Sequence, residues 1–132
     1  MTMIEKYIGE IRKVLSEFEK IDYAFIFGSV LKKPLPGSDV DILVGAHLEP
    51  SGKIDLAMKL ELILKRKVDV VPVKEAPCEL VLKAFSKGLP VLINNRQKLK
   101  EDYFRNFHLY RDGTVLRRLR SLRLKRRYSY GG

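Results

Sequence analysis

The stretch YAFIFGSVLKKPLPGSDVDILV, residues 23–44, decides the fold of this chain. It opens with five aromatic or apolar residues, the length and composition of a buried strand, and Gly28 ends this run. Prolines and a glycine within residues 34–37 predict a loop. From Asp39 to Val44 β-branched and apolar residues return and predict a second buried strand. The stretch therefore predicts two strands, with a glycine-serine turn after the first and two aspartates at the start of the second.

Helical and extended patterns alternate on both sides of this stretch. Apolar residues at three- and four-residue steps predict a first helix over residues 3–19. The further predicted elements are a helix over residues 53–65 capped by Ser51, a strand over 68–73, a helix over 79–86 and a strand over 90–93. Strands that alternate with helices indicate an α/β fold in which a sheet of about four strands packs on helices.

Positive charge is concentrated in the last quarter of the chain. The net charge is +10, from 26 Lys and Arg against 16 Asp and Glu. Residues 1–95 hold 14 basic and 13 acidic side chains, whereas residues 96–132 hold 12 basic and 3 acidic ones. The basic excess exceeds what solubility requires, so we expect this end of the chain to bind a partner.

The same end of the chain has a helical pattern. Its first part carries an apolar and aromatic stripe formed by Leu99, Tyr103, Phe107 and Tyr110. Asp112-Gly113 is expected to interrupt this helix, and a basic helix follows with one leucine-lined side, Leu116, Leu119 and Leu122. We therefore predict two regions, a domain over residues 1–94 and a basic helical C-terminal extension over residues 95–132.

Composition excludes several classes of protein. The 132 residues fit one domain with a modest core, and the single cysteine excludes an internal disulfide and a cysteine-based zinc site. No apolar run approaches the roughly 20 residues of a membrane span. Charged residues among the first apolar positions do not fit a secretory signal, so we expect a cytoplasmic protein without a membrane association.

Three aspartates lie in apolar surroundings. Asp39 and Asp41 are two residues apart in a strand, so their carboxylates point to the same side of the sheet. Asp69 lies between Val68 and Val70 in another predicted strand. Adjacent carboxylates repel one another unless a cation lies between them, and a hard cation with oxygen ligands fits best.

The turn after the first strand has the features of a phosphate site. A glycine lets backbone amides approach an anion closely, and the hydroxyl of Ser29 can donate to a phosphate oxygen. Lys32 follows three residues later, within reach of the same anion. Together, a phosphate site and clustered carboxylates indicate phosphoryl or nucleotidyl transfer.

Taken in order, Phe27-Gly28-Ser29, nine further residues, Asp39-Val40-Asp41 and finally Val68-Asp69-Val70 resemble the signature of the DNA polymerase β nucleotidyltransferase superfamily. The short chain is similar to the minimal nucleotidyltransferases of that superfamily over residues 1 to about 94. The resemblance implies a polymerase β-like α+β fold with a small mixed sheet. The chain departs from the family pattern in its shorter gap after Ser29 and in Val30, where a basic residue is usual.

The resemblance also implies roles for the residues of the motif. Gly28 and Ser29 would hold the nucleoside triphosphate, and Lys32 matches a second basic position of the family. Asp39 and Asp41 would bind two Mg²⁺ ions, while Asp69 would share one ion and help to activate the attacking hydroxyl. ATP is the expected substrate.

Many minimal nucleotidyltransferases act as antitoxins of HEPN-type ribonucleases by transferring AMP to a tyrosine of the toxin. The resemblance implies the same reaction here. The aromatic and basic residues of the C-terminal extension predict a surface that could hold the toxin, with the basic helix as the docking element. Two alternatives remain open. The acceptor could be RNA or a small molecule, with the basic helix contacting nucleic acid, or the chain could neutralise its partner by docking without catalysis.

Overall fold

The computed structural model describes residues 2–18, 20–32 and 38–130, with the backbone alone from residue 114 onward. Within these ranges lie helices α1 (Met3–Leu15), α2 (Ser29–Lys32), α3 (Pro50–Leu64), α4 (Cys78–Lys87) and α5 (Arg96–Tyr130), a 3-10 turn (Val73–Glu75), and strands β1 (Tyr23–Phe27), β2 (Val40–Gly45), β3 (Val68–Pro72) and β4 (Leu89–Ile93). Helices and strands therefore alternate along most of the chain, as the sequence predicts.

The four strands form one mixed sheet in the order β3-β2-β1-β4. Strand β1 runs antiparallel to both of its neighbours, whereas β2 and β3 are parallel. A parallel pair needs a long crossover, which α3 provides between β2 and β3. The mixed sheet confirms the predicted α+β fold class and makes β1 a central strand.

One face of the sheet is fully apolar. All four strands present residues on this face, including Ala24, Ile26 and Ile42, to helices α1 and α3. From α1 come Ile11 and Leu15, both almost fully buried, and α3 contributes the buried side chains Leu56, Leu60 and Leu64. This layer is the main hydrophobic core, and it holds the strands in place without taking part in the site.

The opposite face carries aromatic residues at one end. Tyr23, Phe25 and Leu43 pack there against Val81 and Ala84 of α4. Ring contacts continue outward, because Phe25 and Tyr23 lie 5.2 and 5.6 Å from the ring of Phe85. Helices α4 and α5 therefore cover this end of the face.

A buried carboxylate attaches α5 to the sheet. The hydroxyl of Tyr23 donates to Asp102 at 2.7 Å, and Arg105 donates to the other carboxylate oxygen at 2.7 Å. Asp102 is fully buried, so its charge depends on these partners and on Lys98, whose ammonium lies 3.6 Å away. Burial and the neighbouring carboxylate raise the pKa of Tyr23, which therefore stays a hydrogen-bond donor.

Three local predictions are wrong. Helix α1 ends at Leu15 rather than at residue 19, because the amides of Glu17 and Phe18 donate to carbonyls three residues back instead of four. Ser51 lies inside α3, whose cap position is Glu49 with a proline at the first helical residue. Gly113 does not break the last helix, which is continuous. A glycine inside a helix costs only about 1 kcal/mol relative to alanine.

Other expectations lie outside the described residues. The loop predicted over residues 34–37 is one of them. The leucine-lined side of the last helix is another, since only the backbone is described there. In the ranges that are described, no helix is both long and apolar enough to cross a membrane.

The anchor of α5 gives a first prediction. Tyr23→Phe removes the hydrogen bond to Asp102 and leaves the buried carboxylate with one partner fewer, so we expect unfolding to cost about 1 to 3 kcal/mol less. Urea denaturation of the wild type and the variant measures this difference. Tyr7→Phe is the matched control, because Tyr7 is also buried but forms no hydrogen bond through its hydroxyl with another described residue. Equal losses in the two variants would contradict the anchor.

Candidate active site

Gly28 forms the turn between β1 and α2. Its φ of +89° lies in a region that side chains with a Cβ rarely adopt. The turn places Ser29 at the first position of α2, where it is exposed, while Val30 points into the core and is fully buried. The glycine-serine pair predicted from the sequence therefore forms an open turn at the end of a central strand.

Asp41 lies directly beside this turn. It pairs with Phe27 across the antiparallel strands, so its side chain lies on the same face as the aromatic end of the sheet. A Cβ on Gly28 would collide with the carboxylate oxygen Oδ2 of Asp41. Glycine at position 28 is thus required both by its backbone angle and by the close approach of this carboxylate.

The structure brings the second-strand and third-strand aspartates together. Asp41 and Asp69 are register partners on the parallel strands β2 and β3, so both side chains project from the same face. Asp39 lies one residue before β2 and is exposed. Asp41 and Asp69 therefore lie neither on opposite faces of the sheet nor on distant strands. Either arrangement would have argued against a shared site.

The negative charges of the neighbouring carboxylates affect the pKa of Asp41. Partial burial raises the pKa of Asp41 above its ordinary value, and the charges of Asp69 and then Asp39 raise it further. A carboxylate beside other carboxylates is harder to ionise because like charges repel. The site therefore concentrates negative charge that has no cation from the described residues as a partner.

The carboxylates do not form a closed ligand set as they stand. In the part of the chain that the structure describes, no three Asp, Glu, His or Cys side chains are grouped closely enough to hold an ion by themselves. Asp41 and Asp69 supply two neighbouring carboxylates. Mg²⁺ commonly uses only one or two protein carboxylates, with water and substrate phosphates as the other ligands.

A cavity of about 370 Å³ opens beside the turn. Four of the residues predicted from the sequence line it, namely Gly28, Ser29, Lys32 and Asp41. Asp39 and Asp69 are not among its lining residues. The cavity thus joins the proposed phosphate turn to Asp41, and Asp69 is the register partner of Asp41 on β3.

Helix α4 contributes residues to the cavity that the sequence did not predict. Lys83 and Lys87 line the same cavity, together with Leu80 and Gly88. Gly88 lets the end of α4 lie close to β1, because a Cβ on Gly88 would collide with the carbonyl oxygens of Ala84 and Ile26. Residues 80, 83 and 87 recur at helical spacing along a strip of α4 beside the buried positions Val81 and Ala84, and this spacing was the signal in the sequence that could have identified them.

Comparison with known families identifies the class. Residues 9–97 match the family described as polymerase beta, nucleotidyltransferase. That span covers more than half of the 132 residues, so the chain belongs to this family and is a nucleotidyltransferase. The resemblance seen in the motif is thereby confirmed. No match was found among curated proteins.

Solved structures of toxin-antitoxin complexes share the fold. A chain of the MntA-HepT complex is 23% identical with a TM-score of 0.71, covering 87% of this chain and 93% of that chain. A toxin-antitoxin complex with AMP-PNP is also 23% identical, with a TM-score of 0.73 and coverage of 85% and 93%. A tri-AMPylated Shewanella oneidensis HEPN toxin in complex with MNT antitoxin gives 24% identity, a TM-score of 0.73 and coverage of 89% and 94%.

The turn yields a second prediction. Gly28→Ala places a methyl group against the Asp41 carboxylate and strains the backbone, so we expect a loss of about 1 to 3 kcal/mol in stability. Nucleotidyl transfer should fall at least tenfold, because a displacement of about 1 Å at a reacting group costs roughly a hundredfold. Thermal melts and rate measurements check both effects. Gly9→Ala is the control, since nothing lies within 4 Å of its added Cβ.

Asp41 gives a pH-dependent prediction. Because the folded-state pKa is raised, ionised Asp41 destabilises the metal-free protein above that pKa, and the effect vanishes below the unfolded value of 3.8, where both states are protonated. Metal-free Asp41→Asn should therefore melt higher at neutral pH, by roughly 2 °C or more. The difference should shrink as the pH approaches 3.8. Calorimetry without divalent ions tests this, and a variant that melts lower at neutral pH would contradict it.

Proposed function

We propose that this nucleotidyltransferase transfers AMP from ATP to a tyrosine of a HEPN-type ribonuclease and thereby acts as its antitoxin. The observation that carries the proposal is the meeting of Asp41 with the Gly28-Ser29 turn in one cavity. A carboxylate and a phosphate-binding turn in direct contact are the two parts that nucleotidyl transfer requires. We expect the reaction in the cytoplasm, where ATP and the RNA substrates of a ribonuclease are present.

The chemistry of the donor set supports a divalent cation. Asp41 and Asp69 offer hard oxygen ligands side by side, and their mutual repulsion is of the kind that a bound cation relieves. We infer that these two residues and Asp39 hold two Mg²⁺ ions. When bound, the ions would neutralise charge on the triphosphate and on the entering and leaving oxygens.

The residues of the chain then have distinct tasks. Gly28 and Ser29 bind the triphosphate through backbone amides and a hydroxyl, with Lys32 as a cationic contact at the end of α2. The tyrosine oxygen forms a bond to the α-phosphorus while the bond from that phosphorus to the bridging oxygen breaks, and pyrophosphate leaves with the electron pair. Asp69, exposed beside Asp41, accepts the hydroxyl proton.

Two features support a protein acceptor. The structural relatives are complexes of MntA-type antitoxins with HEPN toxins, and in one of them the toxin is tri-AMPylated. With residues 1–94 as the catalytic domain, residues 95–132 form an extension that would hold the toxin. We propose that its basic helix docks on the toxin through the leucine-lined side, with arginines pairing with carboxylates at the edges.

A labelling experiment tests this function. The wild type is incubated with Mg²⁺, ATP labelled at the α-phosphate and a cell extract of the source organism, and the labelled molecule is identified by mass spectrometry. We expect label on a tyrosine of a HEPN-type protein. Asp39→Asn combined with Asp41→Asn should reduce labelling at least a hundredfold, because the sites for the cations are lost. Asp55→Asn, on the opposite side of the sheet, is the control.

Each of the other outcomes would support a different function. Label in RNA or in a small molecule would replace the protein acceptor by the alternative substrate. Neutralisation of the toxin by the double variant would indicate docking without catalysis. Complex formation that survives Leu119→Asp would contradict the proposed docking helix, because a charge in an apolar seam should disrupt it.

A further inference from the structure

Three lysines of the described part of the chain line the cavity at the turn. Lys32 comes from the end of α2, whereas Lys83 and Lys87 come from the last turns of α4, on the other side of the cavity. Asp41 is the one carboxylate among the described residues that line it. The lining therefore carries an excess of positive charge that faces the same space as the glycine-serine turn.

The two α4 lysines have no evident structural task. Positions 83 and 87 are four residues apart and neighbours on the helix surface, where like charges repel. Neither lysine forms an ion pair with another described residue, although other lysines do, such as Lys53 with Glu75 at 3.2 Å. Both side chains are exposed, so they are free to reach an anion in the cavity.

Basic residues near the end of a helix also have a simpler explanation. They interact favourably with the partial negative charge at the helix C-terminus, and Lys87 is the last residue of α4. That explanation accounts for a lysine anywhere around the last turn. It does not explain why both lysines lie on the face of α4 that lines the cavity, together with Leu80.

We propose that Lys83 and Lys87 bind the β- and γ-phosphates of the nucleotide and so make the site selective for a triphosphate over a monophosphate. This inference rests on the proposed function, since it assigns the tail of the nucleotide to the α4 side of that same cavity. The reacting α-phosphate then lies toward Asp41, and the tail lies between α2 and α4. The same lysines hold the pyrophosphate group as it leaves.

The chemistry of the ligand matches this arrangement. A triphosphate carries most of its negative charge on the two terminal phosphates, and ammonium groups are point charges that adapt to a flexible phosphate chain. A monophosphate lacks the groups that the lysines contact. Removal of the lysines should therefore weaken binding of the triphosphate and leave binding of the monophosphate unchanged.

Calorimetric titration of the full chain tests the proposal. The ligands are AMP-PNP and AMP, each with Mg²⁺, and the variants are Lys83→Ala, Lys87→Ala and the double variant. We expect AMP-PNP to bind roughly tenfold more weakly to each single variant and more weakly still to the double variant. Affinity for AMP should stay within about twofold, and the salt dependence of AMP-PNP binding should decrease in the double variant.

Two controls separate this effect from a general loss of charge or structure. Lys6→Ala removes one positive charge from α1, which packs on the opposite face of the sheet, and should bind AMP-PNP like the wild type. The double substitution by arginine keeps both charges and should restore most of the affinity. Unchanged affinity of the double alanine variant for AMP-PNP, or an equal loss for AMP, would overturn the proposal.

The transfer assay distinguishes this inference from the proposed function. If the wild type binds as expected but labels no HEPN-type protein, the acceptor is wrong and the lysine assignment stands. If the wild type labels the toxin and the double alanine variant keeps the same KM for ATP, the lysine assignment is wrong and the function stands.

Discussion

The hydrogen bond between Tyr23 and Asp102 determines how the second layer of the molecule is placed. Asp102 is fully buried and lies 79 positions further along the chain than its partner. A buried carboxylate is stable only where donors meet it, so α5 can pack in one position on the sheet. Helix α4, held between α5 and β1, is placed as a consequence. The covered end of the sheet and the open end with the cavity both follow from this contact.

Most of the architecture was predictable because its signals are local. The apolar run of β1, the glycine after it and the aspartates around β2 each report their own conformation within a few residues. Asp102 gave no such signal, since a charged residue in a helix normally faces water and only the distant hydroxyl of Tyr23 makes its burial possible. Lys83 and Lys87 were missed for the same reason, because their position at the cavity depends on how α4 packs.

The site combines charges of opposite sign on its two sides. Asp41, Asp69 and Asp39 repel one another at the strand end, and partial burial adds to the cost of ionising Asp41. The lysines of α2 and α4 lie around the adjoining cavity. A metal-bound nucleotide would present cations to the first group and phosphates to the second. Binding of such a ligand would relieve the repulsion among the carboxylates and stabilise the fold.

Contact between Gly28 and the carboxylate of Asp41 has a consequence for how such a protein can change through descent. While transfer is under selection, neither position can drift alone, since a side chain at 28 displaces the carboxylate and a larger residue at 41 meets the turn. Once transfer no longer matters, the restriction on position 41 disappears, whereas the positive φ of residue 28 still favours glycine. A descendant that no longer catalysed transfer should therefore show substitutions at position 41 before position 28, while the residues around Tyr23 and Asp102 persist.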